Sequence, residues 1–383
     1  MNPQSHENTP VWDDHTWRAL PSLTSDLSTD VCVIGLGGSG LAAVSELLEL
    51  GRRVVGIDAA DVAAGAAGRN GGILRAGVAA FHHDAVRTLG RERAARLYRM
   101  TEDEIQRIAA DVPDVVRLSG SIRLATSDAE RADCERQRDA MRADSLRVED
   151  YDGPLGRGLF FPGNAALNPL ARCRVLARRA TDRGAALYGR TRSIAIDGTE
   201  VCTSGGRIRC EALIVAVDGG LDTVLPELRG AVRTARLQMV ATGPTREVRI
   251  PCPVSARSGF DYWQQLADGA VVLGGGRDRA MEDEWTSSSE PTAAIQEYLE
   301  RTLRDLIGVR APITHRWAAS VSYTASGLPI LAEVRPAVWA AGAYCGTGNL
   351  LGALCGRAAA RMASGEASEM AYLLGTSPVM EPI

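Results

Sequence analysis

The sequence predicts a mixed α/β protein that opens on a β-α-β unit and continues into short, tightly turned strands of a mostly antiparallel kind. Three observations carry this. The segment "DVCVIGLGGSGLAAVSELLELGRRVVGID" (30–58) runs from an apolar strand through a glycine turn and an amphipathic helix to a second strand. Two later stretches, from 191 and from 231, string short alternating runs on Asp-Gly and Gly-Gly turns. The 383 residues are 45% apolar and 23% charged, enough to bury the cores of two or three domain-sized units.

Each element has a local reason. Residues 1–28 are polar and irregular, with Trp12 and Trp17 as anchors onto the body. Val31 to Ile34 form a short, fully buried strand. After the glycines, Leu41, Val44, Leu47 and Leu48 fall at helical spacing, Gly51 sits at the C-cap, and "RVVGID" ends in Asp58. Residues 91–110 read as an amphipathic helix, 120–127 as a strand, 129–147 as a charged, solvated helix, and 170–188 as a helix ending near Gly184. "TRSIAI", "EVCT", "RIRC" and "ALIVAV" follow as strands, with hairpins at Asp197-Gly198 and Gly205-Gly206. The alternating region 231–325 holds a helix near 292–306, and 337–365 reads strand, glycine turn, helix.

Composition excludes several functions. A net charge of −4 gives nucleic acid or an anionic membrane no attraction. The first residues lack the basic and apolar regions of a signal peptide, and no apolar run is long enough to span a bilayer, so a cytoplasmic location is expected. Eight cysteines stand singly, which argues against a zinc site or a disulfide framework, and no metal is expected. All 43 basic residues are arginine. A Walker-type phosphate loop and Schiff-base chemistry both need lysine, so both are excluded.

The chemistry begins at Gly35-Leu36-Gly37-Gly38-Ser39-Gly40, a G-x-G-x-x-G between a buried strand and a helix, which is the context of a Rossmann-like dinucleotide site. Gly35 makes the turn, Gly37 lets backbone approach a pyrophosphate, and Gly40 lets helix and strand pack. Gly38 and Ser39 open the helix whose N-terminus faces the phosphates, and Asp58 is placed to accept from ribose hydroxyls. This fingerprint does not separate NAD from FAD. "GAAGRNGG" (65–72) follows soon after Asp58. Glycines 65, 68, 71 and 72 leave a bare backbone that a ligand can approach, with Arg69 suited to a pyrophosphate and Asn70 to a heteroaromatic edge. The alternative is a plain surface loop.

Together these motifs resemble the FAD-dependent glycine oxidase and D-amino-acid oxidase (DAO) superfamily. "GAAGRNGG" is similar to the G-x-x-S-G-R-N-G-G segment of its γ-glutamylputrescine-oxidase-like branch, with Ala67 in place of Ser. "FDYWQQLADGAVVLGGG" (260–276), "RWAASVSYTASGLPIL" (316–331) and "AAGAYCGTGNLLGALCG" (340–356) resemble its substrate-domain strands, its W-A-G block and its last glycine turn. "ALIVAVDGG" resembles the strand ending A-x-G-A-W but departs from it at Asp218 and Gly219.

The resemblance implies an FAD domain assembled from 28–80, 164–225 and 326–383. It implies a substrate domain from 81–163 and 226–325, a mostly antiparallel sheet flanked by helices, with 1–27 as an N-terminal extension. Gly346, Thr347, Gly348, Asn349 and Leu350 would place a helix start at the flavin pyrimidine edge. Members pass hydride from a neutral amine to the flavin, giving an imine that hydrolyses. The partners implied are a small amine or amino acid and O2 or another electron acceptor, with a monomer or homo-oligomer both open.

Departures sharpen the expectation. Val321 stands where glycine oxidase has its carboxylate-binding arginine and where sarcosine-oxidase relatives attach flavin through cysteine. FAD is therefore expected to be non-covalent and the substrate larger than glycine, such as an N-carboxymethyl or N-alkyl amino acid of a specialised pathway. Arg75, Arg257, Arg277 and Arg316 are the candidates for a relocated carboxylate partner. Tyr262, Tyr323 and Tyr344 are either core aromatics or cavity lining, as is Trp263. Cys345 reads as a small buried residue at the same turn, and His82-His83 as a solvated loop pair. The sequence offers no clear general base. A carrier-linked dehydrogenase and a non-catalytic flavin-binding subunit are the competing readings.

Overall fold

The computed structural model describes residues 6–375 and divides the chain into two units, each made of three segments. One contains Asp14–Gly68, Leu170–Ala235 and the chain from Ser320 onward. The other contains the chain up to Asp13, Arg69–Pro169 and Arg236–Ala319.

The first unit is built on a largely parallel sheet. Ala186–Tyr188, Val54–Ile57, Leu27–Ile34, Gly206–Val215 and Val338–Gly342 lie side by side, all parallel, and Ile330–Arg335 adds an antiparallel edge. Cys32, Ile34, Val55, Ile57, Leu213, Val215, Val338 and Ala340 form its core. Such side chains contribute about 1.5–3 kcal/mol each when fully buried, which outweighs the modest propensity of short strands. The Gly38–Glu49 and Ala353–Ala363 helices pack closely, because Gly356 leaves room for the Ser39 backbone. The hairpins at Gly198 and Gly206 form as expected, both glycines with positive φ.

The second unit carries a nine-stranded sheet that is antiparallel over most of its width. Its middle runs Arg233–Thr242, Val271–Gly274, Asp261–Gln265 and Val254–Ala256, then Ser121–Leu124 joined in parallel. Ile295 and Leu299 of the Ala293–Thr302 helix pack on Trp263, Val271 and Leu273 from one face.

Three local expectations are corrected. The helix expected over 170–188 ends at Asp182; Gly184, at φ +97°, turns the chain, and Ala186–Tyr188 becomes a strand beside Val54–Ile57. Residues 66–69 of "GAAGRNGG" form one helical turn instead of loop. His82 and His83 are not a solvated loop pair. They begin the His82–Leu89 helix, with His82 buried and its Nε2 2.7 Å from Asp144 Oδ2. The hairpin Glu149–Gly153/Gly156–Phe161 had no sequence signal, since "EDYDG" lacks apolar alternation.

Candidate cofactor and substrate site

In the parallel-sheet unit the Gly35–Gly40 loop joins Leu27–Ile34 to the Gly38–Glu49 helix. Gly35, at φ +99°, donates its N–H to Ile57 O at 2.8 Å, and a β-carbon there would lie 2.6 Å from Ala216 O. A β-carbon on Gly40 would overlap the Gly35 carbonyl oxygen. Those two glycines are required by the chain's own packing. Gly37 is different: a β-carbon would meet only Ala67 Cβ, at 3.1 Å. The helix has no side-chain cap and no acidic residue in its first turn. Its orphan N–H groups and positive dipole end therefore remain for an anion.

A residue absent from the sequence reading joins this loop. Arg172, almost fully buried, has its Nη1 3.7 Å from where a Gly38 β-carbon would stand, and that nitrogen also donates to Asn349 O at 3.2 Å. A guanidinium beside a positive helix end adds to the attraction of that end for an anion. No signal in "NPLARCRV" distinguishes Arg172 from its neighbour Arg174. Asp58 accepts from Leu36 N (2.9 Å) and Ala60 N (2.8 Å), and burial raises its pKa.

The last glycine turn lies in the same unit. Ala343, Cys345 and Gly346 all have positive φ, and Gly348–Gly352 forms a wide helical turn leading into Ala353–Ala363. Leu350 is buried within it, Thr347 Oγ1 donates to Tyr344 O at 2.6 Å, and the Tyr344 hydroxyl meets Ser39 Oγ at 2.6 Å. The two glycine motifs, far apart in sequence, are thus bonded to each other.

The antiparallel unit begins within "GAAGRNGG". Gly68, in the parallel-sheet unit, has no room for a side chain beside the Ala63 carbonyl. Arg69 donates to Ala318 O at 2.7 Å and to Asn8 O at 2.8 Å, and also meets Asn8 Oδ1. Asn70 Oδ1 accepts from Gly72 N at 2.9 Å. A β-carbon on Gly71 would lie 2.8 Å from the Tyr262 ring, and Gly72 packs on Leu167 O. Indoles close the loop: Trp317 Nε1 donates to Arg69 O at 2.8 Å and Trp12 Nε1 to Asn70 O at 2.9 Å. Trp12 serves as the anchor expected of it, and Trp17 binds Asp61.

Comparison with known proteins decides what this architecture belongs to. The model of the family described as "DAO: FAD dependent oxidoreductase" matches residues 30–362. The chain belongs to that DAO family. It is 27% identical to the probable oxidoreductase OrdL of Rhizobium meliloti, over 92% of this chain and 87% of that one. It is 26% identical to the γ-glutamylputrescine oxidoreductase of Escherichia coli, over 90% of this chain and 86% of that one. The crystal structure of glycine oxidase from Bacillus cereus shares its fold, with a TM-score of 0.74 and 19% identity, over 92% of this chain and 100% of that one. As a DAO-family member it is an FAD-dependent oxidoreductase. Among the described residues no helix is long and apolar enough to cross a membrane.

The remaining candidate residues fall as follows within this DAO-family chain. Val321 is buried on the Ile313–Tyr323 strand, and Tyr323 ends that strand, partly exposed. Cys345 is buried, which raises its thiol pKa and keeps it protonated. Arg277 stacks 4.6 Å from the Trp285 ring, Arg257 pairs with Asp261 and Asp278, and Arg316 with Glu300.

Asp218 acquires a clear role. Its carboxylate accepts from Tyr344 N (3.0 Å) and Ser322 N (3.3 Å), holding the turn that begins at Ala343. Burial lifts its pKa from 3.8 to about 6 against those hydrogen bonds. A folded pKa above the unfolded one means that the native state holds the proton longer. This group's contribution to stability is therefore full below pH 3.8 and falls as pH rises to about 6, by up to about 3 kcal/mol. Asp218→Asn is expected to flatten that fall in thermal melts taken from pH 4 to 6.5. An unchanged pH slope would refute the assignment.

Proposed function

We propose that the parallel-sheet unit holds FAD and that the antiparallel unit serves the substrate. In this reading the chain oxidises the C–N bond of an amine or amino acid larger than glycine, an N-substituted amino acid with an alkyl portion. O2 takes the electrons. The observation that carries the substrate reading is Val321, buried and apolar where the resemblance to glycine oxidase calls for a carboxylate-binding arginine. An apolar wall there favours an alkyl group and disfavours a charged one.

The residues fit the cofactor. The bare Gly37 backbone, the uncapped helix start and the buried Arg172 would together hold a diphosphate, and Asp58 a ribose. FAD, when bound, supplies the two-electron acceptor for amine oxidation to an imine, which water then hydrolyses. The chain's part is to bind the neutral amine, with the apolar Val321 disfavouring a charged group beside it. No cysteine stands at 321, so the flavin is held without a covalent bond. Denaturing the purified protein is expected to release all of its flavin to the supernatant; colour left in the pellet would contradict this.

The test is anaerobic flavin bleaching against amines, D- and L-amino acids and N-alkyl glycines. N-substituted amino acids are expected to bleach faster than glycine, and equal or faster bleaching by glycine would overturn the substrate reading. Mixing the reduced enzyme with O2 then separates an oxidase from a carrier-linked dehydrogenase. The absence of lysine favours that second reading, since relatives use a lysine beside the flavin for oxygen. Slow reoxidation would establish it.

A further inference from the structure

Every backbone carbonyl from Arg69 to Gly72 is bonded to a donor from elsewhere in the antiparallel unit. Arg69 O accepts from Trp317 Nε1 at 2.8 Å and Asn70 O from Trp12 Nε1 at 2.9 Å. Gln264 Nε2 donates to Gly71 O at 2.7 Å and to Gly72 O at 3.0 Å, and Leu167 N adds a bond to Gly72 O at 2.8 Å. Trp317 and Gln264 stand on strands of the sheet. Trp12 comes instead from the N-terminal segment, is buried, and has its ring 3.2 Å from where a Gly72 β-carbon would stand.

The same segment also holds the Arg69 side chain. His6–Glu7 pairs in parallel with Ile313–Tyr323, and Asn8 N donates to Arg316 O at 2.7 Å. Asn8 adopts a left-handed φ of +53°, which asparagine tolerates better than most residues. Its Oδ1 accepts from Ala318 N at 3.3 Å and meets Arg69 Nη2, while its carbonyl accepts from that same nitrogen at 2.8 Å. Its Nδ2 donates to Glu290 Oε1 at 3.0 Å. Arg69 Nε donates to Ala318 O at 2.7 Å. Among the described residues the oxygens that meet this guanidinium are thus all neutral. Such a cation is placed by the directions of its acceptors, and losing one leaves a donor unmatched.

We infer that the N-terminal segment is a clasp for this loop. Asn8 and Trp12 are positioning residues that fix Arg69 and Asn70 and, through them, tighten the hold on FAD. The route runs along the chain. Residues 66–69 form a single helical turn, and in the parallel-sheet unit the Ala67 methyl of that turn is what a Gly37 β-carbon would meet. Fixing the last residue of the turn therefore fixes the neighbour of the diphosphate loop. The effect on FAD rests on the reading of Gly35–Gly40 as its site; the hold on the loop is measurable without flavin.

Amide hydrogen exchange over 66–73 in full-length apoprotein, together with FAD affinity on reconstitution, tests the clasp. Trp12→Phe removes the indole N–H and keeps an aromatic ring. Asn8→Gly removes the side chain and keeps the left-handed turn. In each variant exchange over 66–73 is expected to quicken by about 10-fold or more. The FAD dissociation constant is expected to rise by roughly 5- to 50-fold. Asn8→Asp combined with Glu290→Gln returns an acceptor to Arg69 and a donor to position 8, and is expected to bring affinity back to within about threefold of wild type. A segment that only adds bulk to the fold would show no such recovery. Melting temperatures of the apo variants report whether they fold. Folded variants with wild-type exchange over 66–73 overturn the clasp, and so does faster exchange with unchanged FAD affinity. Wild-type apoprotein that takes up no FAD instead fails the cofactor reading, and exchange alone then decides whether Asn8 and Trp12 hold the loop.

Discussion

Gly40→Ala is expected to give protein that is both flavin-free and destabilised, by about 1–3 kcal/mol. The added methyl would occupy the place of the Gly35 carbonyl oxygen, and backbone cannot rotate aside as a side chain does. The helix must therefore move away from the strand, opening the loop that we propose receives the diphosphate. Gly37→Leu is the matched control. Its nearest obstacle is the Ala67 methyl at 3.1 Å, a contact that a small shift relieves. That variant is expected to fold with near-native stability and still fail to retain FAD, because the side chain stands where the diphosphate must approach. Flavin-to-protein ratio and thermal melts of the apo forms separate the two roles. Full flavin content in Gly37→Leu would remove the fingerprint from the cofactor site.

The largest effect on stability is expected at Glu284. Its carboxylate, about 1% exposed, accepts from Arg236 Nε (3.0 Å) and Nη2 (2.9 Å) and from Gln238 Nε2 (3.0 Å). Glu284→Ala leaves a buried guanidinium and an amide without their acceptor, at about 3–5 kcal/mol. Pairing it with Arg236→Met is expected to recover much of that loss, since the penalty belongs to the uncompensated charge more than to the missing bond. Chemical denaturation of the two single variants and the double variant measures the coupling. Simple additivity would mean that the pair does not act as a unit.

The sequence was informative wherever the reason for a residue is local. Gly40 could be read because strand, turn and helix are contiguous and it answers to the Gly35 carbonyl five residues before it. The hairpins at Gly198 and Gly206 were legible for the same reason. What escaped depends on distant partners. Gly71 is bare because Tyr262 lies against it, a pairing across about 190 residues that no spacing rule anticipates. His82 looked like half of a surface pair because its burial is supplied by Asp144 and Tyr98, brought in by other helices. Arg172 was one arginine among 43, and only the fold places it over Gly38. Arg69, read as suited to a phosphate, makes hydrogen bonds to Asn8 and Ala318 that no local pattern announces. Asp218 appeared only as a departure from a motif until Tyr344 and Ser322 were seen to donate to it.

Because each unit is threaded from three separate stretches of chain, neither can be cut out as a cassette. A recombinant truncation at any one of the crossings, near Gly68, Pro169, Ala235 or Ala319, leaves two incomplete sheets instead of one finished module. Grafting a new antiparallel unit onto this parallel-sheet unit would need every junction rejoined at once. Small substitutions on the existing backbone are therefore the accessible route to altered properties, for a laboratory or for a lineage.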